Sequence, residues 1–249
     1  MRRPLIAGNW KMHLTIPAAR ALAAAVGKAA AGVTDRDVLI APPFTALAAV
    51  REAAGSGVLL AGQNVCWEEQ GAFTGEIAPT MLKELGCAMA IVGHSERRQL
   101  FGETNGLINQ RVAGALKFGL IPILCIGETL REREAGTTFT VLEAQLKEGL
   151  AGVTLASADQ LVVAYEPVWA IGTGKTATAA QAQEVHAFVR QTLGSLFEKN
   201  IAGQMRILYG GSVNPANVDE LMRQADVDGA LVGGAALKAE SFERIIHFQ

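Results

Sequence analysis

The chain has 249 residues, half of them hydrophobic and only 18% charged, with a formal net charge of −2. That composition supplies a sizeable core and gives no support for nucleic acid as a general partner. Cys66, Cys87 and Cys125 are far apart and form no C-x-x-C pair, which argues against a disulfide framework and for a reducing compartment. No stretch approaches the roughly 18 apolar residues that span a bilayer, and the N-terminus makes a poor signal peptide. The expectation is a soluble cytoplasmic protein without membrane contact.

Short apolar runs recur in chain order at 5–7, 38–41, 58–61, 89–92, 121–126, 161–165, 206–209 and 229–232. Most do not alternate with polar residues, so they read as strands buried on both faces, as in a parallel sheet. Helix-like segments lie between them. Residues 16–30 are alanine-rich, with Pro17 placed for a first helical turn, and 44–54 is similar. Thr178 and Gln181 form a T-x-x-Q capping box. Beyond it Ala182, Val185, Val189, Leu193 and Leu196 fall on one helical face. Eight strand–helix units in 249 residues give about 31 residues each, close to the size of a βαβ unit. A doubly wound sheet also alternates strand and helix, but eight evenly spaced units without a polar linker favour one closed (β/α)8 barrel spanning 1–249.

A barrel of this kind carries its chemistry just after the strands, and the polar residues there form a candidate set. The first strand runs into Asn9 and Lys11, the fourth into His94, Ser95 and Glu96, and the fifth into Cys125, with Glu128 three residues on. The sixth ends at Glu166, followed by a loop at 168–175 that reads as a lid over a base. The seventh and eighth run into Gly210–Gly211–Ser212 and Gly233–Gly234, where main-chain N–H groups can approach a phosphate.

Each has a plainer reading: an exposed loop lysine, a structural histidine, a tight turn. Their joint position at strand ends favours the chemical one. His94 would sit at a helix N-terminus, which disfavours imidazolium. His13 reads as a loop residue, His186 as flanking a helix face, and Cys125 as packing. Arg97 and Glu103 could pair as scaffold. GTGKT at 172–176 is not a P-loop, because Trp169 stands where glycine is required. No His/Cys/Asp/Glu cluster has metal-ligand spacing, so neither a metal nor another cofactor is expected.

The segments GNWKM (8–12), GQN (62–64), GAFTGEIAP (71–79), VGHSERR (92–98), CIGE (125–128), AYEPVWAIGTGKTAT (164–178), YGGSVNPAN (209–217) and DGALVGGAALK (228–238) resemble the triosephosphate isomerases, in family order along nearly the whole chain. His13 and Ala236 depart from the family's usual asparagine and serine.

The resemblance implies a TIM barrel and the interconversion of D-glyceraldehyde 3-phosphate and dihydroxyacetone phosphate, a step of glycolysis and gluconeogenesis. By resemblance Glu166 is the base and His94 the neutral imidazole that polarises the carbonyl. Lys11 supplies positive charge, Asn9 positions the substrate, and Glu96 is an acid close to the site. Main-chain N–H groups of Gly172, Ser212, Gly233 and Gly234 would hold the phosphate. The resemblance also implies a homodimer, with Thr74 on the long 63–79 segment reaching the neighbouring site. A barrel that binds phosphorylated ligands without catalysis is the alternative.

Overall fold

The computed structural model describes residues 2–171 and 176–249. Successive side chains of a strand point to opposite faces, so a strand between two apolar layers must be apolar throughout. Among the described residues the strands are β1 (Leu5–Asn9), β2 (Asp37–Ala41), β3 (Leu59–Gly62), β4 (Cys87–Val92), β5 (Ile121–Ile126), β6 (Val162–Tyr165), β7 (Arg206–Tyr209) and β8 (Gly229–Val232). Each pairs in parallel with the next, and β8 returns to β1, closing the barrel. Closure leaves no unpaired sheet edge. This is the (β/α)8 architecture that the spacing predicts. The first strand runs two residues further than its apolar run, because Gly8 and Asn9 still pair with Ile40 and Ala41.

The strands divide their apolar residues between two cores. Leu5, Ala7, Leu39, Ala41, Met89, Ile91, Ile123, Cys125, Val162, Ala164, Leu208 and Leu231 fill the barrel interior. Their alternates, such as Ile6, Ile40, Leu124, Val163 and Ile207, pack outward under the helices. Burying each such aliphatic side chain contributes about 1.5–3 kcal/mol. The same alternation positions chemistry. Asn9 follows Leu5 and Ala7 in register, and Glu166 follows Val162 and Ala164, so both are in register with the barrel interior as their strands end. The Glu166 N–H donates to Ile126 O at 2.7 Å, extending the ladder by one residue.

Helix Ile16–Ala30 opens with proline in its first turn. The segment expected at 44–54 begins instead as a 3₁₀ turn, Phe44–Ala46, before the α-helix Leu47–Ala54. Such tight turns are frequent at helix N-termini. Thr178 and Gln181 exchange both capping-box hydrogen bonds, at 2.9 and 3.1 Å, at the start of Ala179–Leu196. On that helix Ala182, Val185, Val189 and Leu193 are buried and Leu196 partly so.

His186, on the same helix, is fully buried rather than flanking, edge-on to Tyr165 and near Tyr209. Burial pushes its pKa down to about 4. None of the described helices is long and apolar enough to cross a membrane.

Candidate active site

At the end of β1 the Asn9 side-chain oxygen accepts the Lys11 N–H at 3.0 Å. The turn holds Lys11 at φ 52°, a left-handed conformation uncommon for a residue with a side chain. From there Lys11 Nζ reaches Glu96 Oε1 at 2.6 Å. At the end of β4, Gly93 turns the chain at φ 72°, and His94 caps the short helix Ser95–Leu100.

His94 Nδ1 accepts the Glu96 N–H at 3.2 Å. That contact occupies the lone pair a second proton would need, which assigns the single proton of a neutral ring to Nε2. Nε2 lies 2.9 Å from Glu166 Oε1, and the other carboxylate oxygen, Oε2, accepts the Ser95 N–H at 2.9 Å.

Glu166 is only 2% exposed. Burial alone would raise its pKa, but His94, the Ser95 N–H and the Lys11 charge outweigh it and hold the acid below the ordinary carboxylate range. For His94, burial pushes the pKa down while the charge and hydrogen bond of Glu166, with the Glu96 charge, pull it above the ordinary value. Those two shifts together favour an ion pair, whereas the Glu96 N–H at Nδ1 opposes a second proton. We assign an ionised Glu166 beside a neutral His94.

Beside them, burial pushes the Cys125 thiol well above its usual range, the mark of a packing residue. The Arg97–Glu103 pair forms at 2.7 Å.

A cavity of about 350 Å³ opens at this end of the barrel. Asn9, Lys11, His94 and Glu166 line it, and Ser212, Gly233 and Gly234 line it as well. Five strand ends therefore meet at one space. A Cβ on Gly210 would lie 2.8 Å from Glu166 Cγ, so glycine there leaves room for the acid. Across the β5–β6 junction, a Cβ on Gly127 would lie 1.8 Å from Glu166 O, which only glycine permits.

Glu96 reaches the cavity through Lys11 rather than lining it. Thr74 is exposed and does not line it. Gly172 lies outside the described residues, as do 173–175 of the expected lid; its first part, Val168–Ala170, is a 3₁₀ turn. Among the described residues no group of three or more His, Cys, Asp or Glu could hold a metal ion.

Two contributors have roles that residue identity alone does not give. The Ser95 N–H is a main-chain donor, invisible in residue identity. Glu128 stood out only as an acid after β5. Its carboxylate is fully buried beneath the 168–170 turn, where it accepts from Trp169 Nε1 at 2.8 Å, Tyr165 OH at 3.2 Å and Arg133 at 3.0 Å. It holds the segment that follows the acid rather than facing the cavity.

The family model for triosephosphate isomerase matches residues 4–249. Triosephosphate isomerase from Syntrophotalea carbinolica is 56% identical over 250 aligned positions, covering all of this chain and 99% of the relative. The enzyme of the same name from Trichlorobacter lovleyi is 54% identical with both chains fully covered. That from Moorella thermoacetica is 54% identical over 249 positions, covering all of this chain and 99% of its own.

Proposed function

The chain belongs to the triosephosphate isomerase family, and we propose on that basis how its cavity residues divide the work of the isomerisation. The enzyme interconverts D-glyceraldehyde 3-phosphate and dihydroxyacetone phosphate, a step of glycolysis, by moving a proton between adjacent carbons through an enediol(ate). Removing a proton beside a carbonyl requires a base at the carbon and charge stabilisation at the oxygen. Glu166 is the base. Both its oxygens have partners, His94 Nε2 and the Ser95 N–H. Substrate must take over the His94 contact: the carbonyl oxygen accepts from Nε2–H, and Glu166, freed on that side, reaches the carbon. A positioned base contributes roughly 10² to 10⁴ in rate.

His94 then passes its Nε2 proton to one oxygen and recovers a proton from the other, while its Nδ1 stays held by the Glu96 N–H. Lys11 Nζ adds positive charge beside the developing oxyanion, and Glu96 aims it. One such donor contributes roughly 10² to 10³. Asn9 positions the substrate. Main-chain N–H groups of Ser212, Gly233 and Gly234, joined by Gly172, hold the phosphate. The family resemblance gives the loop at 168–175 the role of a lid that excludes water during proton transfer.

The observation that carries this reading is the convergence of Lys11, His94 and Glu166 on one cavity. It also disfavours a purely binding role, which needs no buried carboxylate against an imidazole.

The protein works in the cytoplasm as a homodimer of one 1–249 domain, with Thr74 reaching the partner's site. Met12 at 93% exposure, with Phe73 and Met81 also exposed, supports such an interface, since burial there would remove apolar surface from water. The direct test is Glu166→Gln. Turnover should fall at least about 10²-fold in both directions, and a loss of less than about tenfold would rule Glu166 out as the base.

A further inference from the structure

We propose that Gln63 is a positioning residue for Lys11, fixing the backbone turn from which the ammonium enters the cavity. The inference deepens the reading of Lys11 given above and rests on it. Lys11 is one of two residues other than glycine with positive φ among those described. A strained conformation of this kind persists only where its surroundings hold it.

Two side chains hold this one from opposite ends. Asn9 accepts the Lys11 N–H at 3.0 Å. Gln63, the residue after β3, donates from Nε2 to Lys11 O at 2.7 Å and to Ala41 O at 2.9 Å. Ala41 ends β2, and its carbonyl also accepts the Trp10 N–H at 3.0 Å. The Gln63 amide thus ties the Lys11 turn to the barrel wall.

The chemistry of the pair selects an amide. Both partners are carbonyl oxygens, so the group facing them must carry two hydrogens, and the NH₂ of glutamine does so while staying neutral. An apolar side chain of the same length would leave the Lys11 carbonyl without this donor and the turn held from one end only. Displacing a charged group by about 1 Å is enough to cost roughly 10²-fold in rate.

The test measures kcat and KM for Gln63→Met, Lys11→Met and the double variant, with thermal unfolding of each. We expect Gln63→Met to lower kcat/KM by about 10- to 100-fold, chiefly through kcat because Lys11 acts on the developing oxyanion. In the Lys11→Met background the same change should cost less than about twofold, since residues that act as one unit are non-additive. A loss of equal size in both backgrounds would overturn the proposal, and so would a loss below about twofold in the parent.

Gln63→Asn keeps the amide but shortens the arm, and should fall between parent and Gln63→Met with an unfolding temperature near the parent's. If both variants melt below assay temperature, the amide is a requirement of the fold and the positioning role is overturned. Parental turnover in Lys11→Met would overturn the reading of Lys11 itself. An impaired Lys11→Met beside an unimpaired Gln63→Met would overturn only the inference drawn from Gln63.

Discussion

The two ends of the barrel both gather charged groups and do different things with them. At the N-terminal end a cavity of about 870 Å³ is lined by Arg2, Arg3, Asp37 and Arg206, well over the volume at the other mouth. Its charges are arginine–carboxylate pairs: Arg3 and Arg206 each take one oxygen of Asp37, at 2.6 and 2.9 Å, and Asp228 beside it accepts from Arg2 and Arg190. Guanidinium does not give up its proton in proteins, so these contacts fix strand starts in place and transfer nothing. At the C-terminal mouth the smaller cavity sets a carboxylate against an imidazole, groups that can exchange a proton near neutral pH. Volume does not locate the chemistry; the protonation behaviour of the paired groups does.

The comparison is sharpest when one cation is removed from each end. Lys11→Met should lower turnover by about 10² to 10³ with little change in unfolding temperature. Turnover within tenfold of the parent would erase the distinction on the active side.

A second effect lies in the wall between the two ends. His186 is buried neutral, its pKa depressed to about 4 from the model-compound 6.5. Tyr165, Tyr209, Asp226, Asp228 and Arg190 surround it. The unfolded chain therefore binds this proton before the folded one does. The associated stability is intact above about pH 6.5 and is lost as pH falls toward 4, by about 3 kcal/mol in all. Urea unfolding between pH 7 and 5 should show a falling midpoint in the parent and a flatter profile in His186→Phe. Identical slopes would contradict the assignment.

The smallest effect belongs to the N-terminal end. Arg206→Met should leave turnover within about twofold and cost about 1 kcal/mol, or about 2–4 °C in unfolding temperature for a chain of this size. A large loss of turnover there would mean that the two mouths are coupled.

How much of this was legible beforehand depended on the range of the interaction. The apolar runs became the strands because burial on both faces demands uninterrupted apolar sequence, and the Thr178–Gln181 capping box formed because its partners are three residues apart. Asn9, His94 and Glu166 could be picked out as polar residues ending apolar runs. The donor from Gln63 to Lys11 spans 52 positions, and nothing in local spacing connects them. The contacts that hold Glu128 under Tyr165 and Trp169 span 37 and 41 positions. His186 read as a helix-flank residue because period alone does not show that Tyr165 and Tyr209 close over it. Residues that do chemistry stand out at strand ends, whereas residues that aim them are bound through tertiary contacts.

The central claim is that the Glu166 carboxylate takes the carbon-bound proton. The most direct measurement follows exchange of the C1 hydrogen of dihydroxyacetone phosphate in D₂O by NMR, with the parent protein and with Glu166→Gln. The account predicts ready exchange with the parent and a rate at least about 10²-fold lower with the variant. Exchange at the same rate in both would show that another group removes the proton.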